Sequence, residues 1–377
     1  MIANTDAIAN NSDSTEQWLT AHQLQMNNVD PAVLFDRYER GGFLYPKKRQ
    51  LLDAFMPEIT ANWRKAIQAG DKILWYVTHE TPDGAWATMS GWKSTHTGWV
   101  AQHLVSVSPR ASKHVLLTCQ DWEIRRSESN SYQNWFQPTN RSARALHGSI
   151  EEDLGASSAS VRSYDYFSLP VDFLPSPEQY SITIQRGESD SQSLICSLAE
   201  QERGTVYVAA EELDHPDLEL HAVDELYKSV GLRRYRRIFL ARRSDTTAPC
   251  GVAIAYRGPL GLNFSYLENR IDLILAPMHE SESSNAARCL LSTASQLYTD
   301  FSPGQMLVTT VDSHRNLMES VGAKRLRTYC QSIWLRRGFE AWKVHAATVY
   351  QRNMTHVRVV HGKWSAARSK IFICRTA

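Results

Sequence analysis

The sequence predicts an α/β protein made of two similar halves. Three observations carry that expectation. The chain has 377 residues, long for one hydrophobic core and comfortable for two. Segments alternating with the two-residue period of a strand are interleaved with segments of helical period over most of its length. The order of those segments before the proline-rich stretch beginning at Pro170 is repeated after it,.

Residues 1–30 are polar and are expected to be flexible,. From Pro31 to Ile67 the pattern is helical, interrupted at Pro57. Lys72 to Glu80 (KILWYVTHE) reads as a strand, Pro82-Asp83-Gly84 as a turn, and Ala85 to Trp92 as the returning strand,. A strand over Thr97 to Ser106 and a helix from about Arg110 to Arg126 come next. Gln133 to Thr139 is a short aromatic strand broken by Pro138. A helix starts at Asn140 and runs through Asp153, Gly155 ends it, and Val161 to Leu169 resumes the strand period,. Residues 176–204 read as a linker that still holds a short strand, YSITI.

The second half runs in the same order: helix from Asp214 to Val230, strands at Arg236 to Arg242 and GVAIAY, a strand at Leu273 to Pro277, and a helix from Asn285 to Tyr298. Strand, helix and strand then cover Gln305 to Val311, Ser313 to Val321 and Arg325 to Arg336. The domains expected are residues 31–175 and 205–338. Residues 339–377, with two strand-like runs VRVV and KIFIC, stay unassigned.

Composition narrows function by exclusion. A formal net charge of +1 with 21% charged residues gives no global drive toward nucleic acid or membrane. No run approaches the roughly 18 apolar residues of a membrane helix, and the opening has neither a basic nor an apolar targeting segment. The expectation is a cytoplasmic protein. Six cysteines are scattered singly, which predicts reduced, buried thiols and no metal site. P-loop, dinucleotide-binding, nucleophile-elbow and HExxH motifs do not occur,.

The element order resembles the GNAT superfamily of acyl-CoA-dependent acyltransferases, in tandem, over about Pro31 to Arg336. The resemblance implies two GNAT-like domains, each a mixed twisted sheet flanked by helices. Its most specific piece is Asn140, Ala143, Leu146 and His147, which fall at the spacing of an Asn, Ala, Leu-Tyr pattern opening the family's last helix. His147 then stands where the family often places a tyrosine that protonates the leaving thiolate. Asn140 would position substrate while capping the helix. In the second copy Met318 holds that position and cannot donate a proton, so chemistry is expected in the first half.

The resemblance also implies a pyrophosphate held at a helix N-terminus, where orphan N–H groups and the helix dipole converge. In the first half that segment holds Ser108, Arg110, Ser112 and Lys113, with no glycine but two cations. In the second it runs from His279 to Ala287, where Glu280 and Glu282 oppose an anion,. Transfer to an amine needs a base for the amine proton and an acid for the thiolate. His103 and His96, and less directly His79, lie on or beside strands where a base would stand. The implied co-substrate is acetyl-CoA or acyl-CoA, or an acyl group on an acyl carrier protein. The implied acceptor is a small-molecule or peptide amine, with no metal and no nucleic acid involved. The competing expectation is a non-catalytic GNAT-like ligand-binding or regulatory module. Two further features carry bland readings: seven tryptophans between Trp63 and Trp135 are expected in the sheet core. The arginines from Arg233 to Arg243 are expected either on a solvated edge strand or gripping phosphate,.

Overall fold

The computed structural model describes residue 17, residues 19–171 and residues 180–360, with side chains to residue 352. Three helices open the first half: α1 (Pro31–Arg40), α2 (Pro46–Leu52) and α3 (Met56–Ala66). Each has proline in its first turn, where the missing N–H costs nothing and the fixed φ suits a helix. β2 (Leu74–Glu80), β3 (Trp86–Lys93) and β4 (Gly98–Ser106) form an antiparallel meander, with β1 (Gln25–Met26) on its edge. Then come α4 (Pro109–Arg125), β5 (Ser131–Phe136), α5 (Arg141–His147), α6 (Ile150–Leu154) and β6 (Ala159–Pro170).

The second half repeats this. β7 (Ile182–Arg186) and the helices α7 (Gln192–Arg203), α8 (Thr205–Ala210) and α9 (His221–Lys228) precede β8 (Tyr235–Arg243), β9 (Pro249–Arg257) and β10 (Arg270–Leu275). They are followed by α10 (Glu280–Ser295), β11 (Gln305–Thr310), α11 (Arg315–Ser320) and β12 (Lys324–Leu335), and α12 (Phe339–Val360) closes the described chain. The element order is therefore that of two GNAT-like halves.

The twelve strands of the described residues form one sheet, in the order β1-β2-β3-β4-β5-β12-β6-β11-β10-β9-β8-β7. The halves exchange their last strands: β12 pairs with β5 and β6 pairs with β11, both antiparallel, and β6 and β12 pair with each other at the centre. Each half thus needs a strand from the other to complete its sheet. One apolar cluster runs through both halves, from Leu34 and Trp63 to Leu290 and Tyr329. A second lies under α4 and α12, and a third under α7 and α8.

Three local expectations are corrected. The helix from Asn140 breaks at Gly148, where a Cβ would sit 2.5 Å from the Arg144 carbonyl oxygen, so α5 and α6 are separate. VRVV is the end of α12 and not a strand, and KIFIC lies outside the described residues. The arginine run is split: Arg233 is exposed and Arg237, Arg242 and Arg243 are half-buried, while the other two turn inward. Arg234 and Arg236 are fully buried and donate to the carbonyls of Ser94, Glu268, Leu218 and Glu211, while Arg233 pairs with Asp224 at 2.8 Å. The tryptophans meet expectation, with Trp63, Trp75, Trp92, Trp99, Trp122 and Trp135 all in the core.

Candidate functional site

Among the described residues each half contains one parallel strand pair, and in each the pairing is brief. β4 bonds β5 only over Gly98–Val100 with Ser131–Gln133, and β10 bonds β11 only over Arg270–Asp272 with Leu307–Thr309. Both strands of each pair continue past the last bond, so they part like the arms of a wedge. Backbone N–H and C=O groups at such a parting need other partners, and a wedge in a sheet can admit a ligand.

The first wedge is filled. Only about 10 Å³ remains between Gln102, Leu104, Asn134, Leu146, His147, Trp334 and Trp342, roughly the space of a single water. His147 is stacked within it, 5.0 Å from the Trp342 ring and 5.8 Å from those of Trp334 and Phe136. Its Nδ1 has no hydrogen-bond partner among the described residues. Burial, and then the nearby His345, push its pKa down to about 3, so it is a neutral imidazole. α12 supplies the plug. His345 bridges the Leu146 carbonyl at 2.8 Å and Asp153 at 2.7 Å.

The other expected site residues are dispersed. His103 sits on a bulge of β4 with φ +54°, which turns its ring into a box of Tyr38, Phe43, Trp63 and Phe264. That box belongs to a different core cluster from the one around His147. Ser90 Oγ lies 3.2 Å from its Nδ1, and burial, aided by Lys48, holds its pKa well below the usual histidine value. His96 lies at the seam between halves, its ring bonded to Glu212 (2.7 Å) and Asp217 (2.9 Å) and stacked 4.0 Å from His215. Burial opposes its charge, but the two carboxylates win and raise its pKa. His79 bonds the Gln23 carbonyl at 2.9 Å.

Asn140 caps α5, its side chain accepting from Ala143 N–H at 3.2 Å. Ser108 caps α4 at 3.4 Å in the same way. Ser112 is buried with its hydroxyl 2.7 Å from that of Tyr350 on α12. Arg110 is exposed and Lys113 half-buried. The segment expected to cradle a pyrophosphate is thus partly covered by the last helix.

The second wedge is open. A cavity of about 640 Å³ extends from the ends of β10 and β11 to the first turn of α10, within the roughly 300–1,000 Å³ of small-molecule sites. Its lining includes Leu198, Glu202, Ala276, Met278, Glu280, Ser283, His314 and Leu317, with no lysine or arginine among the described residues. The Glu202 side chain is only 10% exposed. Its Oε2 accepts the Leu275 N–H at 3.2 Å, while Oε1 makes no hydrogen bond among the described residues and has Arg203 Nε 3.5 Å away. Burial raises the Glu202 pKa against the pull of Arg203. His314 Nδ1 lies 3.1 Å from Thr310 Oγ1, and burial followed by the Arg203 charge lowers its pKa.

Behind the cavity lies a buried ionic cluster. Arg270 bonds Glu211 (2.7 Å) and Asp272 (3.0 Å), Arg203 lies 3.4 Å from Asp272, and Gln133 of β5 donates to Glu211 at 2.9 Å. Glu202 gives no signal in the sequence, because it lies in a segment whose pattern is that of a linker. His314, beside the helix start at Ser313, is visible there but weaker than the first-half pattern.

The start of α10 does not suit the CoA phosphates that the resemblance implies. The α10 first turn presents Glu280 and Glu282, and Arg243, the cation nearest them, is paired with Glu282 at 2.9 Å and Asp245 at 3.1 Å. Among the described residues no group of His, Cys, Asp and Glu is arranged to hold a metal ion, and no helix is long and apolar enough to cross a membrane.

No family model matches the sequence, and no curated protein matches it. Among solved structures, the chain is similar to a Drosophila protein (11% identity, 84% of this chain and 99% of that one, TM-score 0.40). It is also similar to a GCN5-related N-acetyltransferase from Sphaerobacter thermophilus (12% identity, 74% and 86%, TM-score 0.38). A third similar structure is a tandem GNAT protein from the clavulanic acid biosynthesis pathway (8% identity, 74% and 88%, TM-score 0.37).

Proposed function

We propose that this chain is an acyltransferase-type protein that moves an acyl group from a thioester to an amine, and that its working half is the C-terminal one. The observation that carries the proposal is the contrast between the two wedges: about 640 Å³ lined by ionisable groups against about 10 Å³ packed with aromatic rings. The GNAT-like order of elements supports the reaction class. The units are residues 31–175 and 205–338, holding each other's last strand, with β7 and α7 of the connecting residues packed onto the second unit and 339–377 as an extension.

A thioester arm borne by a carrier protein suits this wedge better than CoA does, because its phosphate stays outside while the anionic groups of CoA would meet Glu280 and Glu282. In this proposal His147, His103, His96 and Asn140 shape and stabilise the first half, and Ser108, Arg110, Ser112 and Lys113 hold α4 and its contact with α12. The test is hydrogen exchange and turnover with acetyl-CoA, a longer acyl-CoA and the phosphate-free pantetheine thioester of each acyl group. Binding should protect residues 275–278 and 311–317, and Ala276→Trp, which fills the wedge, should reduce it at least tenfold. Protection centred on residues 101–104 instead, or no binding by any donor, overturns the proposal.

A second reading, a binding or regulatory module without turnover, is favoured by the carboxylates at the start of α10. Protection at the same residues with no acyl product separates it from the first.

A further inference from the structure

One histidine of the open wedge is both held and accessible. His314 ends a short 3-10 turn (Asp312–His314) that carries the chain from β11 into α11, and its ring forms part of the cavity lining. It is half-buried, whereas His147 in the closed wedge is buried. Both polar contacts of the His314 ring are made through Nδ1, with Thr310 Oγ1 at 3.1 Å and Glu202 Oε2 at 3.9 Å. Thr310 is fully buried at the end of β11, and Glu202 Oε2 is fixed by the Leu275 N–H at 3.2 Å. Among the described residues Nε2 makes no hydrogen bond. Since Nδ1 is turned to the wall, Nε2 is the edge of the ring on the cavity side.

A carboxylate beside one imidazole nitrogen favours the proton on that nitrogen, and the other nitrogen then carries the lone pair. Glu202 sets that bias here, so Nδ1–H donates to Thr310 Oγ1 and Nε2 is a bare acceptor. Burial, and then the Arg203 charge, lower the pKa of His314, which keeps the ring neutral near pH 7. A neutral imidazole with one nitrogen oriented and the other open is what general-base catalysis requires.

We propose that His314 is the general base of the open wedge, taking the acceptor's proton on Nε2, with Glu202 and Thr310 as the positioning residues that hold its ring. The assignment rests on the acyl-transfer reading above. In the step, an acceptor ammonium gives one proton to Nε2 and becomes a nucleophile. Its lone pair forms the N–C bond to the thioester carbonyl, the C–S bond breaks with its electron pair on sulfur, and the second nitrogen proton ends on the thiol. The imidazolium returns its proton to solvent.

The tautomer can be read with no substrate present. Nitrogen-15 NMR of the full chain should show His314 protonated at Nδ1 and bare at Nε2 at pH 7, with a pKa below 6.5,. Thr310→Val should raise the share of the Nε2–H form and lower kcat. In turnover of a pantetheine thioester, His314→Gln should lower kcat by about a hundredfold or more, while the donor still protects residues 275–278 and 311–317. The pH–rate profile should also lose the acid limb that the parent chain shows below pH 6.5, where protonation of Nε2 removes the base. The other charged groups around that limb are Glu202 and Arg203 on α7, Asp272 on β10, Glu280 on α10, and Asp312 and Arg315 on the segment of His314 itself. Imidazole added to His314→Ala should restore turnover, and Glu202→Gln should give a smaller loss of kcat with KM unchanged. Should the His314 variants fail to fold, Thr310→Val and the tautomer of the parent chain carry the test. An Nε2–H tautomer in the parent chain, or a His314→Gln chain that keeps most of its kcat, overturns the base assignment and leaves the transfer reading standing. Donor protection at the wedge with no acyl product from the parent chain at any pH overturns the transfer reading, and the base assignment with it.

Discussion

The two wedges occupy matching places in one sheet and have been filled in opposite ways. By register, Trp334 of β12 lies opposite Tyr132 of β5, as Phe167 of β6 lies opposite Val308 of β11. Where the first parallel pair brings Gly98 to Val100 against Ser131 to Gln133, the second brings Arg270 to Asp272 against Leu307 to Thr309. The first wedge is then closed from outside by α12, which comes directly after β12 and lays Trp342 on His147. The difference teaches that the parting of a parallel pair makes a wedge but does not set its contents: α12, coming after β12, makes the first wedge core, while the second stays a cavity.

The largest effect should come from breaking the ionic floor of the open wedge. Asp272 is fully buried between Arg270 and Arg203, with Tyr207 and Thr309 donating to it. Asp272→Ala leaves two buried guanidiniums short of a counter-charge, and urea unfolding should show a loss of about 3–5 kcal/mol. The matching change in the closed wedge, Trp342→Ala, removes an aromatic wall and should cost about 3 kcal/mol. It should also leave a dry apolar cavity in which benzene or xenon binds. If Trp342→Ala costs nothing, α12 is not the plug and the contrast between the wedges fails.

Much of the fold was legible because its signals are local. Proline-started helices, two-residue alternation in β2 to β4, and the order of segments in each half depend on near neighbours. Strand exchange was not legible, because β5 takes β12 from a remote part of the chain, and alternation in a strand says nothing about its partner. The surroundings of the candidate site were hidden for a related reason. Asn140, Ala143, Leu146 and His147 have the expected spacing, and Asn140 does cap its helix, but spacing cannot register that Trp342 covers His147. Glu202 gave no pattern at all, since its meaning comes from Leu275 and His314, each from a distant segment.

Smaller effects separate the first-half histidines by sign. His147 stays neutral in the folded chain, its pKa pushed down to about 3, while an unfolded chain takes up that proton near pH 6.5,. The unfolded state therefore binds more protons between those values, and stability falls as pH drops through that window, by at most about 1.4 kcal/mol per pH unit for one group. His147→Phe should reduce the measured slope of unfolding free energy below pH 6.5 by about one proton's worth. His96 runs the other way. Its folded pKa is raised by Glu212 and Asp217, so its contribution is present below its unfolded pKa and is lost as pH rises through the folded one. His96→Gln should remove a small loss of stability above neutrality and also flatten the acid limb, because His96 is among the groups that hold the Glu212 and Asp217 carboxyls low,. If His96→Gln left both limbs unchanged, the carboxylates would not be holding a proton at the seam, and the halves would be joined there by contacts such as the Thr97 N–H to Glu212 bond at 2.7 Å.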